Sequence, residues 1–254
     1  GASARRLPPR LAGIRDFGAS TPADIASYLR SFRNAWTARE TSGEPNVSFG
    51  ASIGREDTIF GRRTGYLASF SYARTLELRK DEQRATAVRA GLGSETRAIN
   101  AYQGGTGTVS VLWGGLLNLS TQLGTATRLS FNGTYDRTAD SEALRLAGLS
   151  EEYGVLLDLT RLTYTERSIY SLQLRGEHAA GQRHHVDWSV THSGVRRSEP
   201  DRSDLAYARE VDPSNPDRQV LAWFGNIPRA ATRTFAELSE SSTSVGANYR
   251  IQIG

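Results

Sequence analysis

Cysteine is missing from all 254 residues, which removes disulfide frameworks, thiolate metal sites and cysteine nucleophiles in one step. Lysine is nearly missing too: Lys80 is the only one, so the net charge of +4 is carried by arginine. The arginines are scattered, with no basic stripe interleaved with stacking aromatics, so no nucleic acid is expected as a partner. No run approaches the roughly 20 apolar residues that a membrane-spanning helix requires. Gly1 is followed by neither the basic start nor the apolar core of a leader. That predicts a removed signal or a chain that starts partway through a longer protein.

Site chemistry is equally scarce. His184 and His185 are adjacent, with His178 and His192 nearby. Neighbouring residues of a strand point to opposite faces, and these flank a predicted turn, so they read as solvated turn residues rather than a metal site. Gly104-Gly105-Thr106-Gly107 lacks the Lys-Ser/Thr of a phosphate loop and reads as strand entry. Glu151-Glu152 reads as exposed loop charge. No catalytic residue, cofactor or metal ligand is assigned, and no enzyme activity is expected.

What the chain does have is alternation. In residues 104 to 122, Val109, Val111, Trp113, Leu117 and Leu119 point one way, and Ser110, Gly114, Asn118, Ser120 and Gln122 the other. The pattern recurs in seven segments. The first holds Val47, Phe49, Ala51 and Ile53; the second runs from Gly65 to Leu78 with Tyr66, Ala68, Phe70 and Tyr72 on one side. After the third, a tight turn at Leu123-Gly124 leads to a fourth with Leu129, Phe131 and Tyr135, read as continuing through the hairpin-like Asn132-Gly133. The fifth, 163 to 178, sets Tyr164, Tyr170, Leu172 and Leu174 against Arg167, Gln173 and Arg175; a turn at Ala179 to Arg183 precedes the sixth, with Val186, Trp188 and Val190. The seventh carries Val245, Ala247, Tyr249 and Ile251 and runs to Gly254.

The connections are predicted to alternate between short turns and long polar loops at 79 to 103, 136 to 162 and 198 to 240. The second loop is expected to carry a short helix near Ala143 to Leu149, and the third holds Pro200, Pro213, Pro216 and Pro228. All the long loops fall on one side. That arrangement predicts an all-β fold, an antiparallel transmembrane β-barrel with long extracellular loops. Its lipid-facing and girdle residues are expected to be Tyr66, Phe70, Tyr72, Trp113, Leu117, Tyr164, Tyr170 and Trp188. Asn118, Gln122, Arg128, Gln173, Arg175 and Asp187 are expected to face the lumen. Negative mean hydropathy does not argue against this, because only alternate residues of such strands meet lipid.

Residues 1 to 45 read differently. Thr21 caps a helix with Pro22 at its first position and Asp24 closing a capping box. Ile25, Leu29, Phe32 and Trp36 then share one face, predicting an amphipathic helix over 22 to 35. Seven strands leave two edges that hydrocarbon cannot satisfy, and single-chain bacterial barrels use even numbers from eight. The barrel of residues 46 to 254 is therefore expected to be incomplete, with residues 1 to 45 an external loop carrying the helix.

The residues resemble the front part of a TonB-dependent outer-membrane receptor barrel. The resemblance lies in Pro45-Asn46-Val47-Ser48-Phe49, Phe60-Gly61-Arg62, Gly65-Tyr66-Leu67-Ala68-Ser69-Phe70-Ser71-Tyr72, the run from Ser110 to Leu119, Leu172 to His178, and Asp187-Trp188 followed by Glu199-Pro200-Asp201-Arg202. It implies a 22-stranded barrel in the bacterial outer membrane, in contact with outer-membrane lipid. It also implies import of a scarce, bulky solute (iron chelate, cobalamin or glycan) with energy from a TonB complex engaged through a plug that this chain lacks. Two alternatives stand beside it: a small stand-alone barrel or adhesin, and a soluble secreted β-sandwich binding carbohydrate, in which the apolar faces would pack beneath a second sheet.

Overall fold

The computed structural model describes the chain except for residues 15, 41–42, 90–95, 182, 213, 228–229 and 254. Its framework is one antiparallel sheet of eight strands. They are β1 (Val47–Ile59), β2 (Arg62–Arg89), β3 (Thr96–Leu123), β4 (Thr127–Ser150), β5 (Val155–Ala180), β6 (His184–Asp212), β7 (Asn215–Trp223) and β8 (Ala231–Ile251). Strands β1 to β6 lie in sequence order, and both β7 and β8 pair with β6. We call the end with the β2-β3, β4-β5 and β6-β7 connections the upper end.

β7 takes the top of β6, from Tyr207↔Trp223 to Asp212↔Asn215, and β8 takes the rest, from Leu205↔Ala231 to His184↔Ile251. The two share one column. Across the break, the Phe224 N–H donates to the Ala206 carbonyl (3.2 Å) and the Ala206 N–H to the Ala230 carbonyl (2.8 Å). The seven expected strands are thus seven columns, the last split in two. No second sheet lies over any of them among the described residues.

The turn at Gly124 is tight as expected, and the first one, at Phe60-Gly61, is tighter than the modest turn its strand spacing suggests; Phe60, Gly61 and Gly124 adopt positive φ, the geometry that matches the twist of paired strands. The upper connections differ from expectation. The described part of 79–103, all of 136–162 but a turn at 151–154, and most of 198–240 are paired strand rather than polar loop, and Ala143–Leu149 is strand rather than helix. Residues 90–95, Pro213, Pro228 and Gly254 lie outside the described residues. The physical reason is that charges in this zone face partners across the ladder: Arg161 meets Asp204 and Arg137 meets Glu166, both at 2.5 Å, and Arg209 meets Asp158 at 2.8 Å. Such pairs stabilise a sheet without leaving an apolar alternation to read. The apolar side chains also change sides here, since Leu144, Leu146, Leu157, Ala206 and Ala208 are buried on the face that is polar lower down.

Pro200 sits in β6 where the register slips against both β5 and β8, and Asp201 beside it has φ 60°. A residue without an N–H is tolerated inside a sheet at such a bulge. The bulge anchors the N-terminal segment. Helix α1 (Pro22–Ser31) has the predicted capping box, with Thr21 Oγ1 accepting from the Asp24 N–H and Asp24 Oδ2 accepting from the Thr21 N–H. It ends at Ser31, and Ile25 and Leu29 stay exposed. Phe32 and Trp36, beyond the helix, make the contact instead: Phe32 stacks on Phe235 with ring centroids 6.1 Å apart, and the Trp36 ring lies 4.1 Å from the Arg233 guanidinium. Arg233 donates to the Arg33 and Ala35 carbonyls at 2.7 and 2.8 Å, and both Arg33 and Arg233 pair with Asp201.

The Asp201 and Arg233 side chains are only 3% and 4% exposed. Removing one member of a buried pair strands the other, at a cost of about 3–5 kcal/mol. Asp201→Ala is expected to lower the unfolding midpoint and open the segment before Arg39 to trypsin under conditions that the parent chain resists. Equal resistance in both proteins would show that this pair does not hold the segment down.

Candidate functional site

Alternation and register assign each side chain of the sheet to one of two faces. On the first, an aromatic row crosses the strands. Phe49 stacks on Tyr72 (5.3 Å), Trp113 approaches Phe70 (6.5 Å) and Tyr135 (5.1 Å), and Tyr135 lies opposite Tyr170. The row ends at His192, whose Nε2 is 2.9 Å from the Tyr170 hydroxyl. Nearer the lower end, a looser row holds Tyr66, Trp188 and Tyr249. There the Trp188 indole N–H donates to His178 at 2.9 Å, and His184 meets the Tyr249 hydroxyl at 2.5 Å. Two rings cover glycines of neighbouring strands: an added Cβ would sit 2.6 Å from the Tyr170 ring at Gly194 and 2.4 Å from the Trp188 ring at Gly176.

Between the rows this face carries Ile53, Phe70, Leu117, Leu172, Val190 and Val245, each between 38% and 73% exposed. Among the described residues, no Arg, Lys, Asp or Glu stands on it between the rows in any of the seven columns. Of the eight residues expected on this face, Tyr66, Phe70, Tyr72, Trp113, Leu117, Tyr170 and Trp188 belong to the band or its rows. Tyr164 does not. It lies above the aromatic row and outside the band, buried beneath the Arg5 guanidinium (4.8 Å), with its hydroxyl donating to Glu166 Oε1 at 2.6 Å. Burial, then the Glu166 carboxylate, pushes that hydroxyl's pKa up to about 12.

The second face is a hydrogen-bonded polar lattice, and Asn118, Gln122, Arg128, Gln173, Arg175 and Asp187 all lie on it. Asn132 Nδ2 donates to Gln173 Oε1 and Gln173 Nε2 to Thr191 Oγ1, each at 3.1 Å. Arg128 Nε donates to Ser120 Oγ (2.8 Å), Arg175 pairs with Glu177 (2.9 Å), and Asp187 accepts from Asn248 Nδ2 (2.8 Å). A cavity of about 560 Å³ is lined by Asn118, Arg128, Asn132, Gln173 and Arg175, and one of about 260 Å³ by Gln173, Arg175, Asp187 and Asn248. Gln122 lines neither; it sits opposite Arg128 near the lower turn. Asn132, Thr191 and Asn248 join the site through their register with Asn118, Gln173 and Asp187, which alternation within one segment does not reveal.

The histidines do not converge. His184 and His185 open β6 instead of lying in the turn, His178, His184 and His192 share the apolar face, and His185 is on the other. Gly50-Ala51-Ser52-Ile53-Gly54 has the spelling of a hydrolase nucleophile elbow. It lies inside β1, paired residue by residue with β2, without the strand-to-helix turn such an elbow needs.

Gln173 joins three strands through its amide. Gln173→Ala and Asn132→Ala are each expected to cost about 1 kcal/mol, and the double variant less than their sum, because both remove one bond. A double-mutant cycle by thermal denaturation in detergent measures the coupling; strictly additive losses would contradict the lattice. Comparison of the chain with protein-family models, curated proteins and solved structures finds no match.

Proposed function

We propose that this chain is part of an outer-membrane β-barrel receptor of the TonB-dependent kind, whose parent protein imports a scarce, bulky solute of the iron-chelate, cobalamin or glycan class. The observation that carries the reading is the charge-free apolar band, bounded by aromatic rows and backed by a polar lattice. Water disfavours a continuous exposed apolar surface of this extent, whereas hydrocarbon favours it. From Tyr170 to His178 a strand advances about 27 Å at about 3.4 Å per residue. At the roughly 40° tilt of outer-membrane strands that is about 21 Å of height, close to the roughly 25 Å apolar band of such barrels.

The sheet edges support a barrel that further strands complete. β1 and the β7/β8 column run in the same direction, so they cannot pair antiparallel with each other. Closure with alternating directions takes an odd number of further strands, and hydrocarbon leaves no edge unpaired. A carbohydrate-binding sandwich is disfavoured because the band has no second layer among the described residues. In the proposed barrel, Asn118, Arg128, Gln173, Arg175 and Asp187 line the path of a hydrated, polar solute, and TonB contact falls to other parts of the parent.

The test uses a variant with Trp113 as its only tryptophan, reconstituted into phosphatidylcholine vesicles. Lipids brominated along the acyl chain are expected to quench it. Leu117→Arg is expected to weaken insertion by about 2–4 kcal/mol, and Asn118→Arg to leave it unchanged. An unquenched Trp113 in a chain that stays monomeric without detergent would sink the membrane reading. TonB-dependent uptake of labelled solutes by cells with and without the parent gene tests the import half.

A further inference from the structure

Just above the aromatic row, on the same face, the sheet and the N-terminal segment enclose a cleft of about 1150 Å³. Arg137, Ser168 and Arg196 occupy one rung of three neighbouring strands: Arg137 is opposite Ser168, and Ser168 opposite Arg196. Strands are about 4.8 Å apart, so two guanidinium side chains arise about 10 Å apart with a hydroxyl between them. Tyr135 and Tyr170 form the rung beneath, and Arg6 of the N-terminal segment also lines the cleft.

Two carboxylates also line the cleft, Glu166 and Glu237. Glu166 is already engaged by Arg137 (2.5 Å) and by the Tyr164 hydroxyl. Glu237 reaches Arg196 only at 3.7 Å, with both side chains well exposed. Arg6, Arg137 and Arg196 therefore leave a positive excess, and Arg196 in particular has donors free to turn. Guanidinium forks match phosphate oxygens in charge and geometry. Below the arginines, the two tyrosines lead directly onto Leu172, Leu174 and Val190 of the apolar band.

A phosphate anchored above an apolar surface describes a lipid. Resting on the membrane reading above, we propose that this cleft holds the phosphate headgroup of a membrane lipid, with its acyl chains lying on the band below Tyr135 and Tyr170. The arginines bind the phosphate monoester, Ser168 donates to it, and the tyrosines mark the boundary between headgroup and chain.

The probe is phosphatidic acid, titrated into the full chain in dodecyl maltoside micelles, with phosphatidylcholine and inorganic phosphate as the comparison arms. Phosphatidic acid is expected to bind in preference to phosphatidylcholine. Arg137→Ala and Arg196→Ala are each expected to weaken it about fivefold and together about thirtyfold. Arg196 is exposed, so its variant reads the site even if Arg137→Ala, which strands Glu166, folds poorly. Unchanged affinity in Arg196→Ala overturns the proposal, as does displacement of phosphatidic acid by equimolar inorganic phosphate, which would mean that the acyl chains contribute nothing. If Trp113 is still quenched in vesicles, either result overturns the headgroup site alone; an unquenched Trp113 overturns the membrane reading and this site with it.

Discussion

From Thr127↔His178 to Ser150↔Val155, β4 and β5 pair without a slip, and β3 pairs with β4 in the same way. Because side chains alternate with period two, moving that register by one residue would turn Leu172 and Leu174 to the polar face and Gln173 and Arg175 to the apolar one. Every property assigned to a face depends on this continuity. The aromatic row is continuous only because Tyr72, Trp113, Tyr135 and Tyr170 fall at neighbouring levels of successive strands, and the amide lattice only because Asn132, Gln173 and Thr191 do the same on the other side.

The two halves of the sheet are held by different means. In the lower half one side is apolar and, among the described residues, without internal cover, so its stability is referred to whatever surrounds it. In the upper half the cover is internal: buried leucines and alanines on one face, and the docked segment around Phe32, Arg33 and Trp36 on the other. Most of the ion pairs there set a partly exposed arginine on a carboxylate that is largely buried, as Arg161 does on Asp204, Arg197 on Glu199 and Arg209 on Asp158. The Asp201 pair with Arg233 differs because both partners are buried.

This division also explains what could be read from the sequence. Strand positions, face assignments and tight turns of the lower half follow from apolar alternation, and the capping box at Thr21 and Asp24 marks the helix start. The upper half reads as loop because its alternation is between charges and small residues, and because its apolar side chains change face. Tyr164 shows the limit of a local pattern: it is in phase with Tyr170, yet Arg5, remote in sequence, covers it. The spacing carries α1 past Ser31 for a related reason, since Phe32 and Trp36 continue the helical period but are recruited by Phe235 and Arg233.

The bulge at Pro200 and Asp201 acts as a phase shifter. Below it the odd-numbered residues of β6, such as Asp187 and Thr191, share a side; above it the even-numbered Asp204, Ala206 and Ala208 take that side. Losing or gaining one codon at this point would leave the lower strand untouched and invert everything beyond it. Drift in the length of this hairpin is therefore constrained to steps of two residues, or to single steps matched by a compensating irregularity nearby.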